Sequence, residues 1–438
     1  MHCYTESRRI GSRLLNTVAF GLESPLIPGG EAPIIFCKAS GAYLKDVDGR
    51  TYIDFSNGLG SVLLGHNDPD VNGCLVECLQ GESDVLAGPS ELHAEVAEQI
   101  TRDLASDFGV VFFSSGTAAV RAGAAMLARI TGRKVILSAG YHGWDPFWGA
   151  GPDILVPNVH GTVDFFFCLD YLHTLIARHN GEIAGVVFSP DYLYLDKAWY
   201  DEFFAICRKA GIHTLADEVK QGYRYGAGSS LVTVGQRADL CTFGKCLANG
   251  HLLACVAAPK PLLKYARDLV NTGFIERLPF VAAKATLDKI KRLEVQAQIR
   301  KHGDTFLAGI SERLKASRLP IEIKGVGNLF QFVIGDQALE KAFYEEAIVS
   351  GLVLFAGDNQ TPSYALMPAV VTEALQRISG VILRLETRFC SLRDVPVPQQ
   401  ARWLAAWRTM EGFPEKSVFE ADRRRFLRLY ALGVGRDG

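Results

Sequence analysis

The sequence predicts an α/β protein: a doubly wound, mostly parallel sheet joined to a smaller α+β domain. Three observations point there. Short β-branched or aromatic runs alternate with helical segments between about 110 and 218, the pattern of strands linked by crossover helices. The runs LCTFGKCLA and LLACVAA are separated by Asn249-Gly250-His251, a turn able to fold one strand back antiparallel on the next. Before and after this core come further strands and helices that suit a second, smaller domain.

In chain order, PIIFCKASGAYLKDVDGRTYIDFSNG alternates and turns at Asp48-Gly49, and so reads as a small β meander. The core strands are VVFFS at 110–114, KVILSAG at 134–140, AGVVFSP at 184–190 and IHTLADE at 212–218. The run from Ala282 to Ser317 is strongly helical. It leads to IEIKGVGNLFQFVIG, a helix at 338–350, LVLFAG and another helix from about Pro368. The expected division is a large domain over 61–290, a small α+β domain from 1–60 with 291–385, and a helical tail over 386–438 that is rich in Arg and Trp.

Composition narrows the function classes. With 46 basic against 48 acidic residues the net charge is −2, which offers no electrostatic footprint for nucleic acid. The ten cysteines are scattered through apolar runs, so free buried thiols are expected rather than a disulfide framework. Cys74 and Cys78 with His66 could make up a metal set, but no second close pair faces them, and no metal is expected. The N-terminal MHCYTESRRIG has no apolar h-region, and nowhere do about eighteen apolar residues run together. A soluble, cytoplasmic protein without membrane contact is the expectation.

The chemistry is expected at strand ends. In CTFGKCLANG a lysine sits among small and apolar residues, where an ammonium group is costly unless paired or neutralised. Either Lys245 snorkels to water or its nitrogen does chemistry. Ser114-Ser115-Gly116-Thr117 opens an alanine-rich helix, as an ordinary cap or as a phosphate seat at the helix N-terminus. Tyr141, His142 and Gly143 follow a strand end, where an aromatic can plug the sheet or stack on a flat ring. Asp217 ends a mostly apolar strand 28 residues before Lys245, as a loop cap or as the partner of a cationic ring nitrogen. Together, phosphate seat, stacking aromatic, carboxylate and lysine describe a site for pyridoxal phosphate.

These residues resemble the class III aminotransferases, pyridoxal-phosphate enzymes of fold type I, over roughly residues 20–385. GAYLKDVDGRTYIDF resembles the family's N-terminal β segment, LLGHNDPDV its following loop, SSGTAAVRAGAAMLARITGR its phosphate turn and YHG its stacking element. LADEVKQGYR and TFGKCLANG, in this order and spacing, resemble its aspartate and Schiff-base lysine motifs. The resemblance implies that Lys245 bonds the cofactor covalently and Asp217 pairs with the ring nitrogen. Val219 would pack behind the ring, Tyr141 would stack on its front with His142 beside it, and Ser115, Gly116 and Thr117 would bind the phosphate. NTGFIERLPFVAAKATLDKI resembles the segment whose threonine, Thr272 here, reaches the phosphate of a neighbouring subunit, which implies a homodimer with shared sites.

The chain also departs from the family pattern. Ala118 stands where many members have Glu, and Ser189-Pro190 replaces the usual Glu-Pro. SPLIPGG and GLGSVLLGHNDP resemble the glutamate-1-semialdehyde aminomutase branch, yet its glycine-rich gating segment is not recognisable between Pro259 and Pro279. GLVLFAGDNQTPSYALMP contains no arginine, the natural bidentate grip for a carboxylate. Its Asp358, Asn359 and Tyr364 are either partners for hydroxyl or ammonium groups or part of a polar surface loop. ERLPFVAAKATLDKI and the tail loosely resemble amino-sugar aminotransferases of aminoglycoside antibiotic biosynthesis. The expectation is an aminotransferase moving an amino group from an amino-acid donor to an amino-sugar aldehyde or ketone. The alternatives are a 2,1-aminomutase or amino-sugar epimerase, and a scaffold with a vestigial site.

Overall fold

The computed structural model describes residues 4–17, 25–30, 32–81, 88–104, 107–143, 145–148, 162–165, 167–269, 276–356 and 358–397. The chain forms two compact units. One gathers the described residues of Met1–Asp68 and Glu294–Gln399, the other those of Pro69–Leu293. Residues 398–438, most of the expected tail, lie outside the described residues.

The N-terminal meander forms as its alternation and turn residues require. Strands β1 (Phe36–Ser40), β2 (Tyr43–Asp46) and β3 (Thr51–Asp54) pair antiparallel in sequence order. Gly49, at φ +88, closes the turn at Asp48-Gly49, a left-handed geometry that glycine adopts without strain. A helix at Thr5–Thr17, not expected from the sequence, takes its cap from a distant residue. Both oxygens of Asp48 accept from the amides of Glu6 and Ser7 at 2.8 and 3.0 Å.

The seven-stranded sheet comprises β4 (Phe108–Phe113), β5 (Val135–Ala139), β6 (Thr162–Asp164), β7 (Ile183–Phe188), β8 (Thr214–Asp217), β9 (Leu240–Phe243) and β10 (Ala254–Pro259). Its order is β4-β10-β9-β8-β7-β5-β6. β10 runs antiparallel to both of its neighbours, and the other pairs are parallel, so the doubly wound, mostly parallel expectation holds. Every residue of β7, β8 and β9 is buried, which accounts for their continuous apolar runs. The three-residue edge strand β6 is too short to show a period and escaped the sequence reading.

The helix Gly116–Thr131 is alanine-rich because it lies close on the sheet. A Cβ at Gly123 would come within 2.7 Å of Leu215, and one at Gly185 within 2.6 Å of Leu127. Its buried Ala119, Val120, Ala122, Ala124, Met126 and Leu127 join one apolar cluster with Leu215, Leu240, Ala254 and Val256.

In the other unit, β11 (Ile321–Val326) and β12 (Leu329–Ile334) form a hairpin, and β13 (Leu352–Val353) adds parallel to β3. Helices Val295–Ser317, Gln337–Val349 and Pro368–Arg388 supply most of its core. The continuous helix expected over 282–317 is instead two, Leu278–Leu293 and Val295–Ser317. They are broken at Glu294, whose φ of +48 is left-handed. The break coincides with the boundary between units. Helical periodicity continues through such a break, so no local pattern of residues marks it.

Nine described cysteines are free. Six of them, Cys78, Cys168, Cys207, Cys241, Cys246 and Cys255, are buried, and Cys37, Cys74 and Cys390 are exposed. No group of His, Cys, Asp or Glu able to hold a metal occurs among the described residues, and His66 instead pairs with Asp54 at 2.8 Å. No helix among the described residues is long and apolar enough to cross a membrane.

Two glycines set a stability contrast. A Cβ at Gly303 would lie 2.1 Å from the carbonyl oxygen of Gly327, and neither backbone can yield cheaply. Gly73, exposed in the helix Pro69–Gly81, has nothing within 4 Å of its Cβ position. In urea titrations Gly303→Ala is expected to lose about 1–3 kcal/mol or more, whereas Gly73→Ala should gain up to about 1 kcal/mol. Similar changes at both positions would contradict this account of the packing.

Candidate active site

Strands β4, β5, β7, β8 and β9 run parallel, and at their C-terminal ends lie Ser114–Thr117, Gly140–Gly143, Ser189, Asp217–Val219 and Gly244–Lys245. This is the edge at which open α/β sheets bind ligands. Ser115, in extended conformation, caps the helix Gly116–Thr131, its Oγ accepting from the Ala118 amide at 3.2 Å. The first amides of a helix have no partner within it, and here those of Gly116 and Thr117 stand at the positive end of a sixteen-residue dipole.

Close approaches lock the neighbouring loops onto this turn. A Cβ at Gly116 would come within 2.6 Å of Val219 Cγ1, and one at Gly244 would be 3.4 Å from the same atom. Gly143, at φ +95, passes so near Thr117 that its Cβ would lie 2.3 Å from Oγ1. Through these contacts the structure brings together Ser115, Gly116, Thr117, Val219, the Tyr141-His142-Gly143 loop and the loop that carries Lys245.

Asp217 and His142 are 5% and 3% exposed. Asp217 Oδ2 lies 2.9 Å from His142 Nδ1, while Oδ1 accepts from the Val219 amide at 3.2 Å and from Thr242 Oγ1 at 3.4 Å. A carboxylate this far from water requires such donors. Thr242 reaches it because it is the register partner of Asp217 across β8 and β9. Ser189, where the family pattern has Glu, donates to the Tyr141 carbonyl at 2.8 Å and lies 3.4 Å from His142 Nδ1. Tyr141 is 45% exposed, leaving ring area to cover a ligand.

Lys245 is half-buried at the head of a 3-10 turn, Lys245–Ala248, that follows extended Gly244. Its φ of +44 is left-handed, a conformation costing on the order of 1–2 kcal/mol for a residue with a Cβ. The next residue, Cys246, accepts from Nη2 of the fully buried Arg224 at 3.2 Å. Beside Asp217, Glu218 is fully buried, and its carboxylate accepts from Ser229 Oγ at 2.6 Å, Ser230 Oγ at 2.6 Å and the Ser230 amide at 3.0 Å. Burial outweighs these donors and pushes its pKa up to about 7.

The remaining expected residues lie beyond the described part of this unit. Thr272 lies outside the described residues. Asp358, Asn359 and Tyr364 belong to the other unit, where all three are half-buried and the Asn359 amide donates to its neighbour Asp358 Oδ1 at 2.6 Å. The sequence reading passed over Thr242, three residues before the lysine, and Trp148, whose ring lies 4.8 Å from that of His142. Strand alternation in CTF could have placed the first of these, whereas nothing local marks the second.

The set fits pyridoxal phosphate. Free helix amides suit its phosphate, a buried carboxylate with spare lone pairs suits a protonated ring nitrogen, an exposed aromatic face suits the ring, and a half-buried primary amine suits its aldehyde.

Comparison with known proteins agrees with this chemistry. A family model described as aminotransferase class-III matches residues 28–145 and 161–382. The chain is 30% identical over 336 residues to the 2'-deamino-2'-hydroxyneamine transaminase of Streptomyces kanamyceticus, a match covering 75% of this chain and 86% of that one. It is 25% identical over 405 residues to the glutamate-1-semialdehyde 2,1-aminomutase of Chlamydia muridarum, covering 82% and 93%. Among solved structures, the pyridoxal-phosphate internal aldimine form of the Sphingopyxis sp. MTA144 FumI protein matches with a TM-score of 0.82 at 24% identity, covering 90% and 99%. That likeness gives the fold as type I.

Glu218 makes the stability of this region depend on pH. Its pKa is raised from 4.5 to about 7 in the folded protein, so the native state keeps a proton that the unfolded chain releases. That stabilisation is full below about pH 4.5 and is lost as pH rises through about 7. Relative to Glu218→Gln, the unmodified protein should lose about 3 kcal/mol across this window, read as the difference between urea midpoints at pH 5 and pH 8. Parallel curves for the two proteins would show that Glu218 titrates normally.

Proposed function

This chain belongs to the class-III aminotransferases and uses pyridoxal 5'-phosphate, and from that premise we propose that it moves an amino group from an amino-acid donor to the carbonyl of an amino-sugar or aminoglycoside-type acceptor. The observation that carries the acceptor class is the stretch 351–368, which contains no arginine. A substrate held by its carboxylate needs a bidentate cation of that kind. Asp358, Asn359 and Tyr364 offer instead a carboxylate, an amide and a phenol, partners for the hydroxyl and ammonium groups of a sugar. A relative at 30% identity is a transaminase named for an aminoglycoside substrate, in keeping with this reading.

When bound, the cofactor supplies an aldehyde that condenses with amines and a cationic ring that draws electrons from the adjacent carbon. The protein's part falls to named side chains. Free lysine has a pKa near 10.4, so a reactive Lys245 must be desolvated or set near other cations. Lys245 is half-buried, and the Sγ of the neighbouring Cys246 accepts from the buried Arg224 guanidinium. Lys245 Nζ is the base that takes the substrate's proton and the acid that returns it. Asp217 keeps the ring nitrogen protonated, and His142 holds Asp217 in line. Ser115 and the amides of Gly116 and Thr117 would bind the phosphate, Val219 would pack behind the ring and Tyr141 would cover its front. By the family resemblance Thr272 of a neighbouring subunit would complete the phosphate seat, and the working form in this reading is a homodimer.

A second reading, an aminomutase or amino-sugar epimerase, is favoured by the 25% identity to a glutamate-1-semialdehyde aminomutase. In such an enzyme the same lysine would return the proton to another carbon or face.

With glutamate as donor and an oxidised aminoglycoside as acceptor, mass spectrometry should find the new amine together with an equal amount of 2-oxoglutarate. Deuterium taken up from solvent without net amine transfer would favour the isomerase, and no product from any sugar acceptor would end the aminoglycoside reading. Lys245→Ala should lose the visible absorbance of lysine-bound cofactor and about 10³-fold or more in rate. A variant that retained both would remove Lys245 from the chemistry.

A further inference from the structure

Two polar atoms beside the Asp217–His142 pair are buried and have no hydrogen-bond partner among the described residues: Nε2 of His142 and Nε1 of Trp148. Their side chains are 3% or less exposed, and the two rings are 4.8 Å apart at an interplanar angle of 56°. Buried polar groups left unpaired are rare and costly, so an adjacent pair calls for a common explanation.

The protonation of His142 follows from its surroundings. Nδ1 faces Asp217 Oδ2 at 2.9 Å and Ser189 Oγ at 3.4 Å. The carboxylate only accepts, and the hydroxyl hydrogen of Ser189 is committed to the Tyr141 carbonyl. Nδ1 therefore carries the proton, and in the neutral ring Nε2 presents a lone pair that needs a donor. An indole N–H is a donor and nothing else. The turn Pro146–Trp148 that presents it is itself held in place. The Trp148 amide donates to the Asp145 carbonyl at 3.1 Å, the Phe147 amide to Asp145 Oδ1 at 2.9 Å, and Thr162 Oγ1 to the Phe147 carbonyl at 2.8 Å. Phe147 packs edge-on against the indole, with the Arg121 guanidinium 3.6 Å from the centre of its ring.

We propose that Trp148 is a positioning residue: its indole N–H donates to a water that in turn donates to His142 Nε2. This fixes the imidazole in the tautomer that holds Asp217 toward the cofactor's ring nitrogen. The relay runs Trp148, His142, Asp217, with Ser189 steadying Nδ1. It rests on the assignment of Asp217 to the ring nitrogen made above.

A double-mutant cycle on the cofactor-loaded protein, with pyridoxal phosphate affinity measured by equilibrium dialysis, tests the relay. Trp148→Phe keeps the apolar bulk and removes the N–H. It is expected to raise the dissociation constant about three- to tenfold, the worth of one buried hydrogen bond, and to change nothing once His142→Phe is already present. In the unmodified protein, selective ¹⁵N-histidine labelling should show His142 with Nδ1 protonated and Nε2 in the shift range of a hydrogen-bonded acceptor, a readout that needs no variant to fold. An equal loss in both His142 backgrounds would make Trp148 mere packing, and a protonated Nε2 on neutral His142 would overturn the relay outright. Asp217→Asn separates the two claims: if it leaves cofactor affinity unchanged, the ring-nitrogen assignment fails whatever the histidine spectrum shows.

Discussion

A carboxylate removed from water at the end of a central strand must be ringed by donors, and the arrangement around Asp217 follows from that need. The Val219 amide comes from the turn that Asp217 itself begins, and Thr242 comes from the adjacent strand in register. The third donor, His142, arrives from the end of β5, two strands beyond β8. Each donor brings its loop with it. The donor loop of Val219 presses on Gly116, the loop of His142 presses through Gly143 on Thr117, and the strand of Thr242 continues into Gly244 and Lys245. Satisfying one buried charge thus gathers a helix N-terminus, an aromatic face and an amine within a single unit of the fold.

Much of this could be read in the sequence, because its strongest signals are local. The continuous apolar runs of β7, β8 and β9 declare strands buried on both faces, and the Asn249-Gly250 turn announced the reversal into β10. The Ser115 cap and the alanine run after it marked the helix of the phosphate turn. The lysine and aspartate stood out because charge in apolar surroundings asks for a reason. What escaped reading depends on partners remote in the chain. Ser189 looked like a loss relative to the family pattern, and its bond to the Tyr141 carbonyl spans 48 positions. Trp148 meets His142 only because a 3-10 turn folds it back, and the Thr5–Thr17 helix owes its cap to Asp48, about forty residues on. The kink at Glu294 hides because a left-handed residue leaves the hydrophobic period on either side intact.

The other unit obeys a different economy of contacts. Its core is a layer of aromatic and aliphatic side chains that includes Phe55, Phe306, Phe330 and Phe332. A closely fitted joint is the meeting of Gly303 with Gly327. The segment after β13 is bound through backbone and amide groups: Gln360 pairs with Phe330 and with Phe355, and Thr361 Oγ1 donates to the Ser56 carbonyl at 2.7 Å. A segment held mainly by its main chain can change its side chains without losing its course.

The left-handed backbone at Lys245 carries a historical implication. Glycine occupies that region of conformational space freely, and any residue with a β-carbon resists it. A polypeptide shaped only to fold well would drift toward glycine at position 245. Lysine holds that region here against the preference of its own main chain, a cost that the proposed bond between its amine and the cofactor would offset.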